Sequence, residues 1–306
     1  MNEHDSEKIS GLLEDAGLQR VTQPESADVI VVNTCCIREN ADNKFYGHLG
    51  NLKNLKEVNP SLKILVGGCL AQKDREIIRD RADHVDVVFG THNLDRIVKL
   101  LAQSEKGPVV EIIDAVSNEF DSFGNDPLPT RREVSYAAWL TIQSGCDNAC
   151  AFCIVPQVRG PEVSKPFENL LQEAKDLVSD GVVEITLLGQ NVNSYGRDLT
   201  LKLRSQNPSA IDKIVAGTEW ASSNKRKPRP LFGDLLRAIG EIPDIRRVRY
   251  ISPHPKDLRE EVMYAMAETE SVCEHLHFPL QSGSDRILSA MHRGYTAEKY
   301  LHRLEQ

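Results

Sequence analysis

Three cysteines, Cys146, Cys150 and Cys153, stand in Cys-x3-Cys-x2-Cys spacing directly after an apolar run, 137–142, that reads as a buried strand. Three thiolates can hold three irons of a four-iron cluster and leave the fourth iron without a protein ligand. An open iron can bind and activate a small molecule, much as the open position on a catalytic zinc does. A structural zinc, or a cluster that only carries electrons, would want a fourth ligand close by. The nearest later cysteine is Cys273, and the first histidine after the motif is His254. The competing reading, three core cysteines at accidental spacing, leaves Gly145, the polar turn and the preceding strand without a reason. The spacing therefore points to a catalytic cluster.

At 306 residues, with 40% apolar and 27% charged side chains, the chain has room for two globular domains. No stretch approaches the ~20 apolar residues of a membrane span, and the polar start is not that of a signal peptide. Seven cysteines, an odd number in clustered spacing, argue against a disulfide framework and for metal in a reducing compartment, hence a cytoplasmic protein without membrane partners. The net charge of −8 does not suggest a nucleic-acid partner. The basic runs, Lys225, Arg226, Lys227 and Arg229 and then Arg246, Arg247 and Arg249, are either solvated faces or local binding patches.

The first 115 residues alternate helical and strand patterns. Helices are expected at 5–16, 41–56, 72–81 and 94–102, and strands at 28–32, 63–66, 85–89 and 109–113. This predicts an α/β fold, a doubly wound (flavodoxin-like) parallel sheet with helices on both faces. Cys35 and Cys69 each fall just past the carboxyl end of a strand, on the rim where such sheets bind ligands. Gly67 and Gly68 let the backbone come close to a bulky group there. Position alone leaves two functional thiols and two buried ones equally open.

Residues 116–133, with Gly124, Pro127 and Pro129, read as a linker. From 134 to 306 the alternation resumes, with helices at 166–179, 231–239, 258–267 and 296–305 and strands at 183–188, 248–252 and 276–280. These units fit a partial TIM-like barrel with its site at the strand carboxyl ends. The polar stretch 197–229 is expected to be an insertion without chemistry, its Trp220 packing locally or stacking on a base. Polar loops follow two strands: Gln190, Asn191 and Asn193 after the first, and Gln281, Ser282, Gly283 and Ser284 after the second. They are candidates to contact a bound cofactor or, equally, to cap helices. His254, between two prolines, is open to a structural or a site role, and Cys273 is expected in the core.

The cluster motif following a strand resembles the signature of radical S-adenosylmethionine (SAM) enzymes. That resemblance implies an open iron chelating the amino and carboxylate groups of SAM. It also implies reductive cleavage of SAM to methionine and a 5′-deoxyadenosyl radical that abstracts hydrogen. Asn33-Thr34-Cys35 with Arg38-Glu39, and Gly67-Gly68-Cys69, resemble the amino-terminal domain of the methylthiotransferase branch. In that branch three cysteines hold a second four-iron cluster used in supplying sulfur, so Cys35 and Cys69 are expected as two of its ligands. The third belongs to a Gly-Cys-Gln-Met-Asn motif, and this chain opens at Met1-Asn2 of it. The expectation is a chain that starts late, lacking its first strand and one cluster cysteine. It is likewise expected to be truncated in the barrel and to lack the branch's carboxyl-terminal RNA-binding β-barrel. Cys36 is read as a small buried thiol, with replacement of the lost ligand as the other reading.

Four matches, Met1-Asn2-x-x-Asp5-Ser6-Glu7, 189–193, 281–284, and the cluster loop continuing to Pro156 and Arg159-Gly160, resemble the members acting on isopentenylated adenosine in tRNA. Gln157 departs from a position that is commonly aromatic. The implied reaction replaces the C2 hydrogen of N6-(isopentenyl/dimethylallyl)adenosine, 3′-adjacent to the anticodon, with a methylthio group. One SAM would give the methyl and a second the radical. The implied cofactors are two [4Fe-4S] clusters and SAM. The implied partners are tRNA, held weakly by this acidic chain, and an electron donor such as a flavodoxin or ferredoxin; the protein is expected to be a monomer. Alternatives are action on threonylcarbamoyladenosine in tRNA or on a ribosomal-protein aspartate, an inactive fragment, or a non-catalytic iron–sulfur protein.

Overall fold

The computed structural model describes residues 1–35, 39–114, 128–206 and 230–306. Two compact units emerge: Met1–Glu133 together with Ile154–Gly160, and Val134–Cys153 together with Pro161–Gln306. Among the described residues no helix is long and apolar enough to cross a membrane.

In the first unit, helix α1 (Asn2–Asp15) leads to strand β1 (Val29–Thr34), α2 (Glu39–Val58), β2 (Lys63–Gly68), α3 (Cys69–Asp74), α4 (Ile77–Arg81), β3 (Val87–Phe89), α5 (Ile97–Gln103) and β4 (Val109–Glu111). All four strands are parallel, in the order β1-β2-β3-β4. Alternate side chains of each strand go to opposite faces. Ile30, Val32, Ile64, Val66 and Val88 meet Phe45, Leu49 and Leu52 of α2, together with Leu70 and Ile78. Val29, Val31, Leu65, Val87 and Phe89 meet Ile9 of α1 and Ile97 and Leu100 of α5. The helices therefore cover both faces, as the alternation predicts. β1 lies at one margin of the sheet, and beside it runs a cleft of about 350 Å³ lined by Ile9, Leu13, Val29, Val31, His48 and Leu52 among others.

Two elements differ from the sequence expectation. The helix predicted over 72–81 is two short ones, parted at Arg75, which takes φ 50. Polar ties hold the break: Arg75 pairs with Asp114, and Tyr46 donates to Asp74 at 2.7 Å. The helix expected over 94–102 begins as a 3-10 turn, Leu94–Arg96, before α5. Of the expected linker, 115–127 lie outside the described residues. The remainder is docked on α1: Arg131 N–H donates to Glu7 O at 2.9 Å, and Pro129 sits so close to Gly11 that a Cβ there would lie 2.4 Å from its carbonyl.

The second unit contains β5 (Ala137–Thr141), β6 (Gln143–Ser144), β7 (Val163–Ser164), α7 (Phe167–Ser179), β8 (Glu184–Leu188), α8 (Arg197–Gln206), α9 (Phe232–Gly240), β9 (Arg247–Tyr250), α10 (Glu260–Glu268), α11 (Asp285–Ala290) and α12 (Ala297–Glu305). The short helix α6 (Val155–Val158), which follows Cys153, falls within the stretch grouped with the first unit. β5, β8 and β9 form a parallel sheet in the order β5-β8-β9, and β6 pairs antiparallel with β7. α7 places Phe167, Leu170 and Ala174 on one face at helical spacing, and these join Leu140, Ile185, Leu187, Leu235 and Val248 in the core.

The strand expected over 276–280 is not formed; among the described residues only a bridge between Val248 and Val272 continues the sheet beyond β9. Pro279 has no N–H for a ladder, and Leu276 and Phe278 are instead drawn against the hydrophobic core. The stretch 197–229, expected to be an irregular insertion, opens with the regular helix α8. Its Asp198 accepts from Ser164 N–H at 2.9 Å, and Thr200 N–H donates to Gly196 O at 2.9 Å. The rest of that stretch, Trp220 included, lies outside the described residues.

Candidate functional site

The three motif cysteines occupy the loop that leaves β6. Cys146 is buried, while Cys150 and Cys153 are half-buried. Burial pushes the Cys146 thiol up to about 11, and the nearby Glu162, Cys153 and Cys150 push in the same direction. The three thiols thus lie close enough to oppose one another's ionisation, which is the situation that iron relieves by displacing their protons. Two donors already face the sulfurs. Asn148 N–H donates to Cys146 Sγ at 3.4 Å, and Arg293 Nη1 to Cys150 Sγ at 3.4 Å. N–H groups aimed at sulfur favour thiolate, so the donor set fits a four-iron cluster. Among the described residues no three His, Cys, Asp or Glu side chains gather as they would around a single metal ion. A cluster asks for something different, with each thiolate on its own iron.

Past the carboxyl ends of β5 and β8 a buried polar group collects. The register sets Thr141 beside Leu188, so the chain beyond each strand emerges at one level. Gln143 then reaches across β8: its Nε2 donates to Asn191 O at 2.8 Å. Gly189 makes this crossing possible, because a Cβ there would lie 2.8 Å from Gln143 Cγ. Asn191 Nδ2 donates to Asp257 at 2.8 Å, Asn193 Nδ2 to His254 O at 3.3 Å, and the Ser194 hydroxyl to Glu162. Arg197 of α8 closes the circuit on Asp257 at 2.9 Å. The insertion thus contributes to the site after all.

Burial raises the Glu162 carboxyl to about 7, with Ser194 and Arg197 opposing the shift. Burial also lowers His254 to about 4, aided by Arg293. Asp257, unlike Glu162, is lowered. Burial would raise it, but Asn191, Arg197 and Lys256 hold it below the usual carboxylate range.

Around this group, Gln143 Oε1, Gln190 Oε1, Asn191 Oδ1, Asn193 Oδ1, His254 Nε2 and Arg293 Nε are buried without a hydrogen-bond partner among the described residues. An orphaned buried polar atom costs about 1–3 kcal/mol. Six in one region suit a polar ligand with ammonium, carboxylate and hydroxyl groups, and SAM carries all three.

Gln190, Asn191 and Asn193 are therefore together with Gln143, Glu162, Asp257 and His254. Neither loop acts as a cap: Asn191 and Ser284 precede helical turns without a side-chain cap bond. The loop of Gln281, Ser282, Gly283 and Ser284 stands apart. It is largely exposed, with Gln281 at φ 67, and no hydrogen bond among the described residues joins it to the polar group. Cys273 is half-buried, its N–H donating to Val248 O at 3.0 Å.

In the first unit, Thr34 of β1 pairs with Gly68 of β2, so Cys35 and Cys69 leave the sheet side by side at the same level. Cys35 is exposed and Cys69 buried; Cys36 and Arg38 lie outside the described residues. Beside Cys69 sits Arg159, 6% exposed, bonded to Asp5 at 2.6 Å and to Asn2 Oδ1 at 3.1 Å. Burial disfavours its charge, but Asp5 and Cys69 more than offset this and hold it protonated. A buried cation next to a thiol fits an anionic sulfur ligand. His92, after β3, has an Nε2 without a hydrogen-bond partner among the described residues, and its basicity is lowered by burial and by Arg159.

The chain is similar to two described families. One, the radical SAM superfamily, matches residues 140–306; the other, uncharacterized protein family UPF0004, matches residues 1–90. Among curated relatives, the tRNA-2-methylthio-N(6)-dimethylallyladenosine synthase of Mycobacterium bovis (strain ATCC BAA-935 / AF2122/97) is 48% identical over 308 residues, covering 100% of this chain and 55% of the relative. The protein of the same name from Mycobacterium sp. (strain JLS) is 50% identical over 303 residues, covering 98% and 55%. The chain thus spans about half the length of the curated relatives it matches.

Among solved structures, the radical SAM methyltransferase TsrM from Kitasatospora setae, with tryptophan and a SAM analogue bound, is similar with a TM-score of 0.55 at 12% identity. The match covers 98% of this chain and 61% of that one. OxsB, a cobalamin-dependent SAM radical enzyme, gives 0.54 at 14% identity, covering 97% and 44%. These likenesses concern the fold alone.

Proposed function

The chain belongs to the radical SAM superfamily, and from that membership we propose that it carries the cluster-bearing part of a tRNA methylthiotransferase. The reaction is replacement of the C2 hydrogen of N6-(dimethylallyl)adenosine, beside the anticodon, by a methylthio group. The observation that carries this reading is the 48–50% identity to synthases of that name across 98–100% of the chain. It supports this substrate over threonylcarbamoyladenosine or a protein aspartate. Residues 1–115 serve as the sulfur-supplying domain, 116–133 as linker, and 134–306 as the SAM-cleaving domain. The working form is a monomer with tRNA as substrate and a small flavodoxin or ferredoxin as electron donor.

Cys146, Cys150 and Cys153 would hold the SAM-cleaving cluster, and Cys35 and Cys69 would take part in holding the second. When bound, the first cluster supplies the electron that cleaves SAM and leaves a radical able to take a hydrogen atom. The chain's own residues do the rest. Gln143, Gln190, Asn191 and Asn193 offer unpaired acceptors that orient the ammonium and ribose hydroxyls of SAM. Glu162, with a carboxyl near neutrality, can accept from or donate to the same ligand. Leu140, Leu187 and Tyr250, all nearly fully buried beneath this group, help keep water from the strand ends. The Gln281-to-Ser284 loop is a further candidate for SAM contact.

The test is anaerobic reconstitution with iron and sulfide, followed by SAM and dithionite. We expect 5′-deoxyadenosine from the unaltered chain and none above background from Cys150→Ala. Product equally abundant in that variant would overturn the cluster assignment. Mass spectrometry of tRNA bearing dimethylallyladenosine, incubated with the whole protein, reads the substrate directly. A mass gain on threonylcarbamoyladenosine instead would replace the substrate but keep the chemistry.

A further inference from the structure

After α11 the chain turns in a Schellman arrangement: Arg293 N–H donates to Leu288 O and His292 N–H to Ser289 O, each at 3.0 Å. The left-handed position of that turn, usually glycine, is His292 at φ 54. What holds a histidine there is that all three residues of the turn are committed to the cluster loop. Met291 O accepts from Ala151 N–H at 3.1 Å. His292 Nδ1 lies 3.2 Å from Ala149 O, and Arg293 Nη1 lies 3.4 Å from Cys150 Sγ. Lys256 adds a fourth tie, reaching Asn148 Oδ1 at 2.5 Å. Arg293 is 8% exposed, and its guanidinium spans from the sulfur toward the Tyr295 ring, whose centroid is 5.8 Å away.

We propose that Arg293 is a positioning residue for the SAM-cleaving cluster, donating an N–H···S bond to the Cys150 ligand and setting a buried positive charge beside the cluster so that it is reduced more easily. The inference rests on assigning that cluster to Cys146, Cys150 and Cys153. A ligand thiolate is anionic, so the bond is charge-assisted. Reduction adds one electron from an external one-electron donor and makes the cluster more negative. A fixed cation and a hydrogen bond to sulfur therefore stabilise the reduced form more than the oxidised one. Arg293 itself makes and breaks no covalent bond. Its planar fork and buried setting distinguish it from a lysine, which keeps the charge but not the geometry.

The test is a potentiometric titration with dithionite, followed by electron paramagnetic resonance of the reduced cluster, on the reconstituted chain and on R293Q, R293K and K256A. At the potential where half of the unaltered cluster is reduced, R293Q should show a reduced-to-oxidised ratio lower by about tenfold, or ~59 mV for one electron. R293K should fall between the two. K256A, which cuts a tether of the same loop and removes a more exposed, better screened charge without touching sulfur, should move the midpoint much less than R293Q does. If R293Q fails to retain iron, R293K decides: an unshifted midpoint and unchanged spectrum there overturn the inference. So does a K256A shift as large as that of R293Q, because the effect would then not depend on the contact with sulfur. If the unaltered chain binds no cluster that depends on Cys150, the cluster assignment falls, and this inference with it.

Discussion

Glu162 and His254 belong to the same buried polar group and respond to pH in opposite senses. The Glu162 carboxyl ionises near 7 in the folded chain, against 4.5 ordinarily. Between those values the folded state binds more protons than the unfolded one, so stability falls as pH rises through the window and is flat above it. His254 falls to about 4 from 6.5, so its contribution is lost as pH drops from 6.5 toward 4. The two nearly cancel, and the difference between variants isolates one of them. Glu162→Gln should remove a loss of roughly 3 kcal/mol between pH 5 and 8, read as urea midpoints of the cluster-free chain converging at the acid end. A second residue-scale expectation concerns Arg159. Truncating it to alanine leaves Asp5 buried and unpaired, which should cost about 3–5 kcal/mol by the same measurement. The place of the three cysteines, in a loop after a buried strand, was legible in sequence because their spacing is local and periodicity places the strand before them. The contacts of Glu162, Gln143, Asp257 and Arg293 were not, because each is made with partners far along the chain: Gln143 meets Ser194, and Arg293 meets Cys150.

At the scale of elements, the junction of β2 and α3 bears two tight constraints in succession. Gly68 takes φ 92, and a Cβ there would stand 2.4 Å from Thr34 O; at Gly67 it would stand 2.2 Å from the Phe89 ring. Gly68→Ala must therefore displace backbone, and Gly67→Ala must displace a buried aromatic. We expect losses of about 1–3 kcal/mol for each, measured by thermal unfolding followed in the far ultraviolet. The same junction carries Cys69, so on the proposed ligand assignment both variants should also retain less iron after reconstitution. Strand positions in this unit read well from sequence, since Val and Ile runs buried on both faces have few alternatives. The break at Arg75 did not, because what ends α3 is a set of contacts with Asp114 and Asp74 rather than a glycine or proline. The missing strand over 276–280 shows the converse. A short apolar run becomes a strand only where a neighbour offers its ladder, and Pro279 withholds part of one.

The whole molecule holds a hydrophobic core in each of its units, with Phe45, Leu49 and Leu65 in one and Leu140, Ile185 and Leu235 in the other. Unfolding is accordingly not expected to be two-state. Calorimetry should resolve two transitions, with Gly68→Ala lowering one and Phe167→Ala the other. The net charge of −8 bears on substrate as well. Binding of this chain to tRNA should be weak and should fall further with added salt; a complex surviving high salt would point to the basic runs at 225–229 or 246–249 as binding patches. The margin of the first sheet carries a practical corollary. β1 is a run of Val-Ile-Val-Val whose outer side, among the described residues, pairs with no strand and borders a cleft. In a concentrated sample such an edge is adhesive, since one molecule's bare backbone is a template for another's. Turbidity during iron loading would then be a colloidal matter, growing with protein concentration rather than with the amount of iron added.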